Sequence, residues 1–188
     1  MTAPWTLAVI IGSVREGRIG HSVARWFVDQ LQGDAPDGMR LDVIDLASLD
    51  LPEDLSGGGD TDALSERIER SDAVVIITPE YNRGYPGLLK NAIDAVTSPW
   101  AAKPIGFVAY GGVSGGLRAV EQLRPVFAEL HAVTVQAVVA LPYAWDSLDA
   151  DGALRAPRAE SAAATMLRQL QWWAHALRHA RTASPYLT

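Results

Sequence analysis

A chain of 188 residues that is 48% hydrophobic and contains no cysteine reads as one ordinary domain with a sizeable core, and it excludes disulfides, thiolate metal sites and thiol redox chemistry. Its net charge of -6 at pH 7 argues against a nucleic-acid partner, since such binding rests on neutralising phosphates with a basic surface. No stretch approaches the roughly 20 apolar residues of a membrane span, and the first four residues lead into an apolar run without a basic flank, so no membrane partner and a cytoplasmic location are expected.

Residues 5–11 form a continuous apolar strand, followed by a loop over residues 12–20. Val23, Ala24, Trp26, Phe27, Val28 and Leu31 then recur at helical spacing, and Gly33 with Pro36 closes that helix. A shorter strand spans residues 41–45. The segment 46–60 ends in Ser56-Gly57-Gly58-Gly59-Asp60, too glycine-rich for regular structure, and Thr61 or Asp62 caps a helix through Arg70.

Residues 73–77 are apolar without alternation and rich in β-branched side chains, as in a strand buried on both faces of a parallel sheet. Pro79 and Gly84 mark a loop, Pro86 begins a helix at no cost in hydrogen bonds, and Leu88, Leu89, Ala92, Ile93 and Val96 form its apolar face. A fourth strand over residues 103–110 leads into Gly111-Gly112-Val113-Ser114-Gly115-Gly116 and a helix bearing Leu117, Val120, Leu123, Phe127 and Leu130, with a kink expected at Pro125. Residues 133–141 make a fifth strand, Asp149 to Gly152 a turn, and residues 159–181 a final helix.

Alternating strands and helices predict an α/β fold, a flavodoxin-like three-layer sandwich whose five-stranded parallel sheet has the order 2-1-3-4-5. In that order the loops after strands 1, 3 and 4 are neighbours at the carboxyl edge, where open α/β sheets bind ligands. These are the three loops of unusual composition.

In the first, Gly12 and Gly17 admit close approach of a ligand, Ser13 offers a hydroxyl, and Arg15 and Arg18 offer fork-shaped donors for phosphate oxygens beside a helix N-terminus. Taken alone, the loop fits a plain turn with solvated arginines equally well. It is not a nucleotide-hydrolysing P-loop, because Arg18-Ile19 stands where Lys and Ser or Thr are needed, and Gly12-Ser13-Val14 lacks the second glycine of the dinucleotide fingerprint. Asp45 at the end of the second strand reads as a turn residue. The glycines after strand 4 expose backbone N–H groups against which a planar heterocycle can lie.

Gly12-Ser13-Val14-Arg15 with Arg18, Pro79-Glu80-Tyr81-Asn82 with Leu89-Lys90-Asn91-Ala92-Ile93-Asp94, and the glycine-rich run 111–116 together resemble the NADPH-dependent FMN reductase family. The resemblance covers residues 7–130. It implies that Ser13, Arg15, Arg18 and the backbone around Ile19 and Gly20 hold the FMN phosphate. It also implies that Pro79, Glu80, Tyr81 and Asn82 line the flavin ring, with Gly111, Gly112, Ser114, Gly115 and Gly116 at its pyrimidine side. Serine often stands in the family where Arg18 stands here, and asparagine where Gly20 stands.

NADPH or NADH is then the co-substrate, a small molecule such as a quinone, azo compound or free flavin the electron acceptor, and a homodimer or homotetramer the expected assembly. No protein side chain is required as a catalytic acid or base, because the flavin carries the chemistry. Two alternatives stand beside this reading, a flavodoxin-type electron carrier and a flavin-binding regulatory module without turnover.

For Glu80, tuning of the pocket's charge stands beside a solvated or N-capping role, and for Tyr81 stacking on a ring stands beside plain packing. His175 and His179 share the i, i+4 spacing of a metal pair, but no third ligand accompanies them and they read as a solvated helix end, so no metal site is expected. Trp172 and Trp173 cannot both face one core.

Overall fold

A run such as residues 73–79, apolar on both sides, is stable only where both faces of a sheet are covered. In the computed structural model, which describes residues 4–33 and 38–186, β3 (Ala73–Pro79) is buried along its whole length between β1 (Trp5–Ile11) and β4 (Pro104–Gly111). β2 (Met39–Asp45) and β5 (Val133–Pro142) are the edges of a five-stranded parallel sheet in the expected order 2-1-3-4-5. Leu41 and Val43 of β2 are exposed, as befits an edge.

Alternate residues of the strands feed two cores. Leu7, Val9 and Ile11 face α1 (Gly20–Gly33) and α5 (Glu160–Ala183), where Val23, Phe27, Met166 and Leu170 pack. Ala8 and Ile10 belong to the opposite layer, with Leu64 and Ile68 of α2 (Thr61–Arg70), Leu89 and Ile93 of α3 (Gly87–Asp94), and Leu123 and Phe127 of α4 (Leu117–Glu129). Burying each of these large side chains contributes about 2 kcal/mol. Trp100 closes that layer: its indole is buried, donates from Nε1 to the Ile93 carbonyl at 3.0 Å, and stands edge-on to Phe127 with centroids 5.2 Å apart.

Several boundaries differ from expectation for identifiable reasons. β2 begins at Met39 because Trp5 pairs with it, a register that side-chain alternation does not reveal. The cap of α2 falls on Asp60, whose carboxylate turns away from the helix to accept from the Asp50 N–H at 2.8 Å. As expected, α4 does not end at Pro125 but runs on through it, with Val120, Leu123 and Phe127 all buried. Pro36 and residues 1–3 lie outside the described residues.

Trp173 packs on the core while Trp172 is 63% exposed, so the pair is divided as their adjacency requires. His175 is not solvated as expected: its ring lies 6.2 Å from that of Trp5 and its Nε2 is buried, whereas His179 is exposed. No helix among the described residues is long and apolar enough to cross a membrane.

At the amino end of the sheet a group of charges fastens α5. Asp72 accepts from the Thr6 N–H at 2.9 Å and pairs with Arg178 at 3.3 Å, while Arg181 donates to the Ala102 carbonyl. Lys103, 3% exposed, donates to the carbonyls of Ser71 and Glu69. Burial, reinforced by Arg181, lowers the Lys103 ammonium to about 8.

The unfolded chain therefore holds a proton between about pH 8 and 10.5 that the folded chain has released, and stability rises with pH across that window. Above pH 10 the buried Tyr110 phenol, pushed up to about 12, works in the opposite direction. Urea unfolding should show a gain of about 2 kcal/mol between pH 8 and 10 in the wild type, and Lys103→Met should flatten it. An unchanged slope in the variant would assign the gain to other groups.

Candidate functional site

β1, β3 and β4 are adjacent and in register near their carboxyl ends, with Ile11 beside Ile77 and Pro79 beside Tyr110. The three loops that follow them therefore meet on one edge. Backbone bonds tie them there: Gly12 N–H to the Ile77 carbonyl at 2.8 Å, Glu80 N–H to the Tyr110 carbonyl at 2.8 Å, and Tyr143 N–H to the Gly111 carbonyl at 2.7 Å.

In the first loop Ser13 is fully buried, and its hydroxyl has no hydrogen-bond partner among the described residues. Tyr110, close by on β4, does not complete a bond of ordinary geometry with it. Such an unmatched buried hydroxyl is costly unless a ligand answers it. Gly20, the first residue of α1, lies so close that a Cβ there would fall 2.1 Å from Ser13 Oγ. Helical bonding begins with the Val23 N–H to the Ile19 carbonyl, so the N–H groups just before Val23 have no acceptor inside the helix. Ser13 and the start of α1 thus bring a hydroxyl and helix-terminal N–H groups together, donors of the kind that suit a dianion.

The two arginines of this loop differ in setting. Arg18 is fully engaged: both terminal nitrogens reach the Asp45 carboxylate at 2.6 Å, and one also donates to the Ser13 carbonyl at 2.5 Å. The hydrogen bond from Arg18 is the main reason that the Asp45 carboxyl lies below its ordinary range. Asp45 is thus more than a turn residue, since it clamps the loop to the end of β2. Arg15 is exposed and reaches across to the second loop, its guanidinium carbon 5.5 Å from the centre of the Tyr81 ring.

The second loop is a two-residue hairpin. Tyr81 and Gly84 exchange N–H to carbonyl bonds of 2.9 Å, and Asn82 and Arg83 at its tip have φ of 49° and 73°. Positive φ at both central residues defines the tight turn type that Asn favours and that a residue like Arg enters only under strain. Behind the turn, the Glu80 carboxylate is 8% exposed. It accepts from Ser114 Oγ at 2.6 Å, from the Arg118 N–H at 3.2 Å and from the Arg118 guanidinium at 3.2 Å. Burial alone would raise this carboxyl, but these donors outweigh it and hold it below the usual range. Glu80 thus caps α4 from a different loop.

In the third loop Gly115 and Gly116 have φ of 60° and 91°. A Cβ on Gly116 would lie 2.6 Å from the Tyr110 nitrogen and from Ala109 Cβ, whereas one on Gly112 would meet nothing within 4 Å. Gly116 is thus demanded by the fold, and Gly112 leaves open space over the loop.

Of the sequence-derived residues, Ser13, Arg15, Arg18, Ile19 and Gly20 share the first loop and the start of α1. Pro79, Glu80, Tyr81 and Asn82 lie at the end of β3 and on the hairpin, and Gly111, Gly112, Ser114, Gly115 and Gly116 follow along β4 and its loop. Lys90, Asn91 and Asp94 do structural work instead: Lys90 pairs with Asp94, and Asn91 holds the Pro52 carbonyl at 3.2 Å. Tyr110 and Arg118 escaped the sequence reading. Tyr110 had one available signal, a phenol inside an otherwise apolar strand.

The family profile described as NADPH-dependent FMN reductase matches residues 5–146. A quinone reductase of Pseudomonas putida is 36% identical over 134 residues, spanning 66% of this chain and 70% of that relative. An NAD(P)H-dependent FMN reductase of Schizosaccharomyces pombe is 33% identical over 147 residues, spanning 72% and 73%. Among solved structures, the flavoenzyme NAD(P)H:(acceptor) oxidoreductase FerB of Paracoccus denitrificans superposes with a TM-score of 0.71 at 27% identity, covering 90% of this chain and 97% of that one.

Gly116→Ala should lower unfolding stability by roughly 3 kcal/mol, because it combines an unfavourable φ with backbone overlap. Gly112→Ala should change it by less than about 0.5 kcal/mol. Equal losses in denaturant titrations of the two variants would contradict the different settings of these glycines.

Proposed function

Because the chain belongs to the NADPH-dependent FMN reductase family, we propose that it binds FMN across the three loops and reduces a small acceptor such as a quinone, azo compound or free flavin. It is an oxidoreductase with FMN as cofactor and NAD(P)H as electron donor. When bound, FMN supplies a ring that takes a hydride from the nicotinamide and passes its electrons to the acceptor.

The chain's own part is to bind, orient and stabilise charge. The Ser13 hydroxyl and the first N–H groups of α1 would donate to the phosphate, with Arg15 able to swing toward it from Tyr81. Arg18 would act through its clamp on Asp45, holding the Ser13 backbone in place, and so serve the phosphate indirectly. Pro79 to Asn82 would line the ring, and the N–H groups of the loop 111–116 would donate where negative charge gathers on the reduced cofactor. The chain is further proposed to act as a homodimer or homotetramer, for which the exposed Trp172 offers a contact.

The buried Ser13 hydroxyl beside the start of α1, without a hydrogen-bond partner among the described residues, is the observation that carries this reading, since a phosphate would supply the acceptor it lacks. The wild-type apoprotein should quench FMN fluorescence on binding, and its anaerobic visible spectrum should bleach on adding NADPH. Ser13→Ala should weaken FMN binding by about tenfold, the worth of one hydrogen bond to a charged group. Bound flavin that stays oxidised with NADPH and NADH yet bleaches with dithionite would replace the reductase by a carrier, and absence of FMN binding would remove the flavin site altogether.

A further inference from the structure

Arg118 and Gln122 lie one helical turn apart on one face of α4, and Ser114, in the loop just before the helix, joins them in a polar stripe that faces the second loop. Each holds a different part of it. Ser114 Oγ and the Arg118 guanidinium and N–H hold the Glu80 carboxylate, while Gln122 Nε2 donates to the Arg83 carbonyl at 2.8 Å. That carbonyl lies at the strained tip of the hairpin, whose two left-handed residues need an external hold to persist.

The stripe therefore grips the turn at both its root and its tip. We infer that Arg118 is a positioning residue of the flavin site: it fixes Glu80 and, with Gln122, the Glu80–Gly84 turn, and its charge offsets the carboxylate beside the cofactor. This rests on the flavin-binding reading above.

The geometry separates this role from that of a ligand. Glu80 has both oxygens turned to α4, with donors on each, and its carboxylate is buried, so the group that the residue offers the cofactor is its backbone. Arg118 is the one cation paired with that carboxylate among the described residues. Without it, an anion held only by a hydroxyl and one N–H would sit behind the ring, where it opposes the electron-rich reduced flavin.

FMN affinity of the apoprotein and the midpoint potential of the FMN-loaded protein test the inference in Arg118→Met, Arg118→Lys, Glu80→Gln and the Arg118→Met/Glu80→Gln double variant. Arg118→Met should weaken FMN binding by about tenfold and move the potential negative. Arg118→Lys, which keeps the charge but not the planar fork, should restore the potential more fully than the affinity. The double variant should return the potential toward the wild-type value, a rescue that a merely structural role does not produce.

Should Arg118→Met not fold, Glu80→Gln, which leaves the guanidinium uncompensated, should move the potential positive. Wild-type potentials in all folded variants, with FMN affinity within twofold of wild type, would overturn the positioning role while leaving the flavin site intact. A wild-type chain that binds no FMN would overturn both readings.

Discussion

The in-register adjacency of β1, β3 and β4 is the constraint on which the site depends. Each strand is apolar on both faces, so none can occupy an exposed edge without losing burial, and the three are held together at the centre. Once Ile11 lies beside Ile77 and Pro79 beside Tyr110, their outgoing loops have only one place to go. The core sets where the candidate site lies before any polar residue takes part.

The polar residues then divide into those committed to structure and those left free for a ligand. Arg18 and Asp45 lock the first loop to β2, and Glu80 with Arg118 and Ser114 locks the second loop to α4. Far from the site, Asp72 with Arg178 and Arg181 secures α5 to the opposite end of the sheet, where Lys103 ties the start of β4 to the Ser71 and Glu69 carbonyls. Against this background two groups stand out: the buried Ser13 hydroxyl, without a hydrogen-bond partner among the described residues, and Arg15, whose guanidinium lies over the Tyr81 ring. Fixed loops and free donors are what a cofactor site needs, because binding then costs little reorganisation.

The alternation of apolar runs and amphipathic stretches was enough to read five strands, five helices and the order 2-1-3-4-5, since two-sided burial writes itself into composition and periodicity. The residue types gathered at the candidate site were legible too. Glycines, a serine and arginines after strand 1, and the Pro-Glu-Tyr-Asn loop after strand 3, announce themselves because they interrupt that periodicity. What each side chain does was not legible. Arg15 and Arg18 look equivalent three residues apart, yet one is bound to Asp45 and the other leans on Tyr81.

Such assignments depend on partners distant along the chain, 27 residues away for Arg18 and 38 for Glu80. Local spacing holds no record of them. The sequence by itself determined the fold, the edge where the loops converge and the kinds of group gathered there, because hydrophobic patterning acts locally and along the chain. Only the tertiary structure decided which of those groups are neutralised by a neighbour and which remain available, because hydrogen bonding and charge pairing are settled by proximity in space.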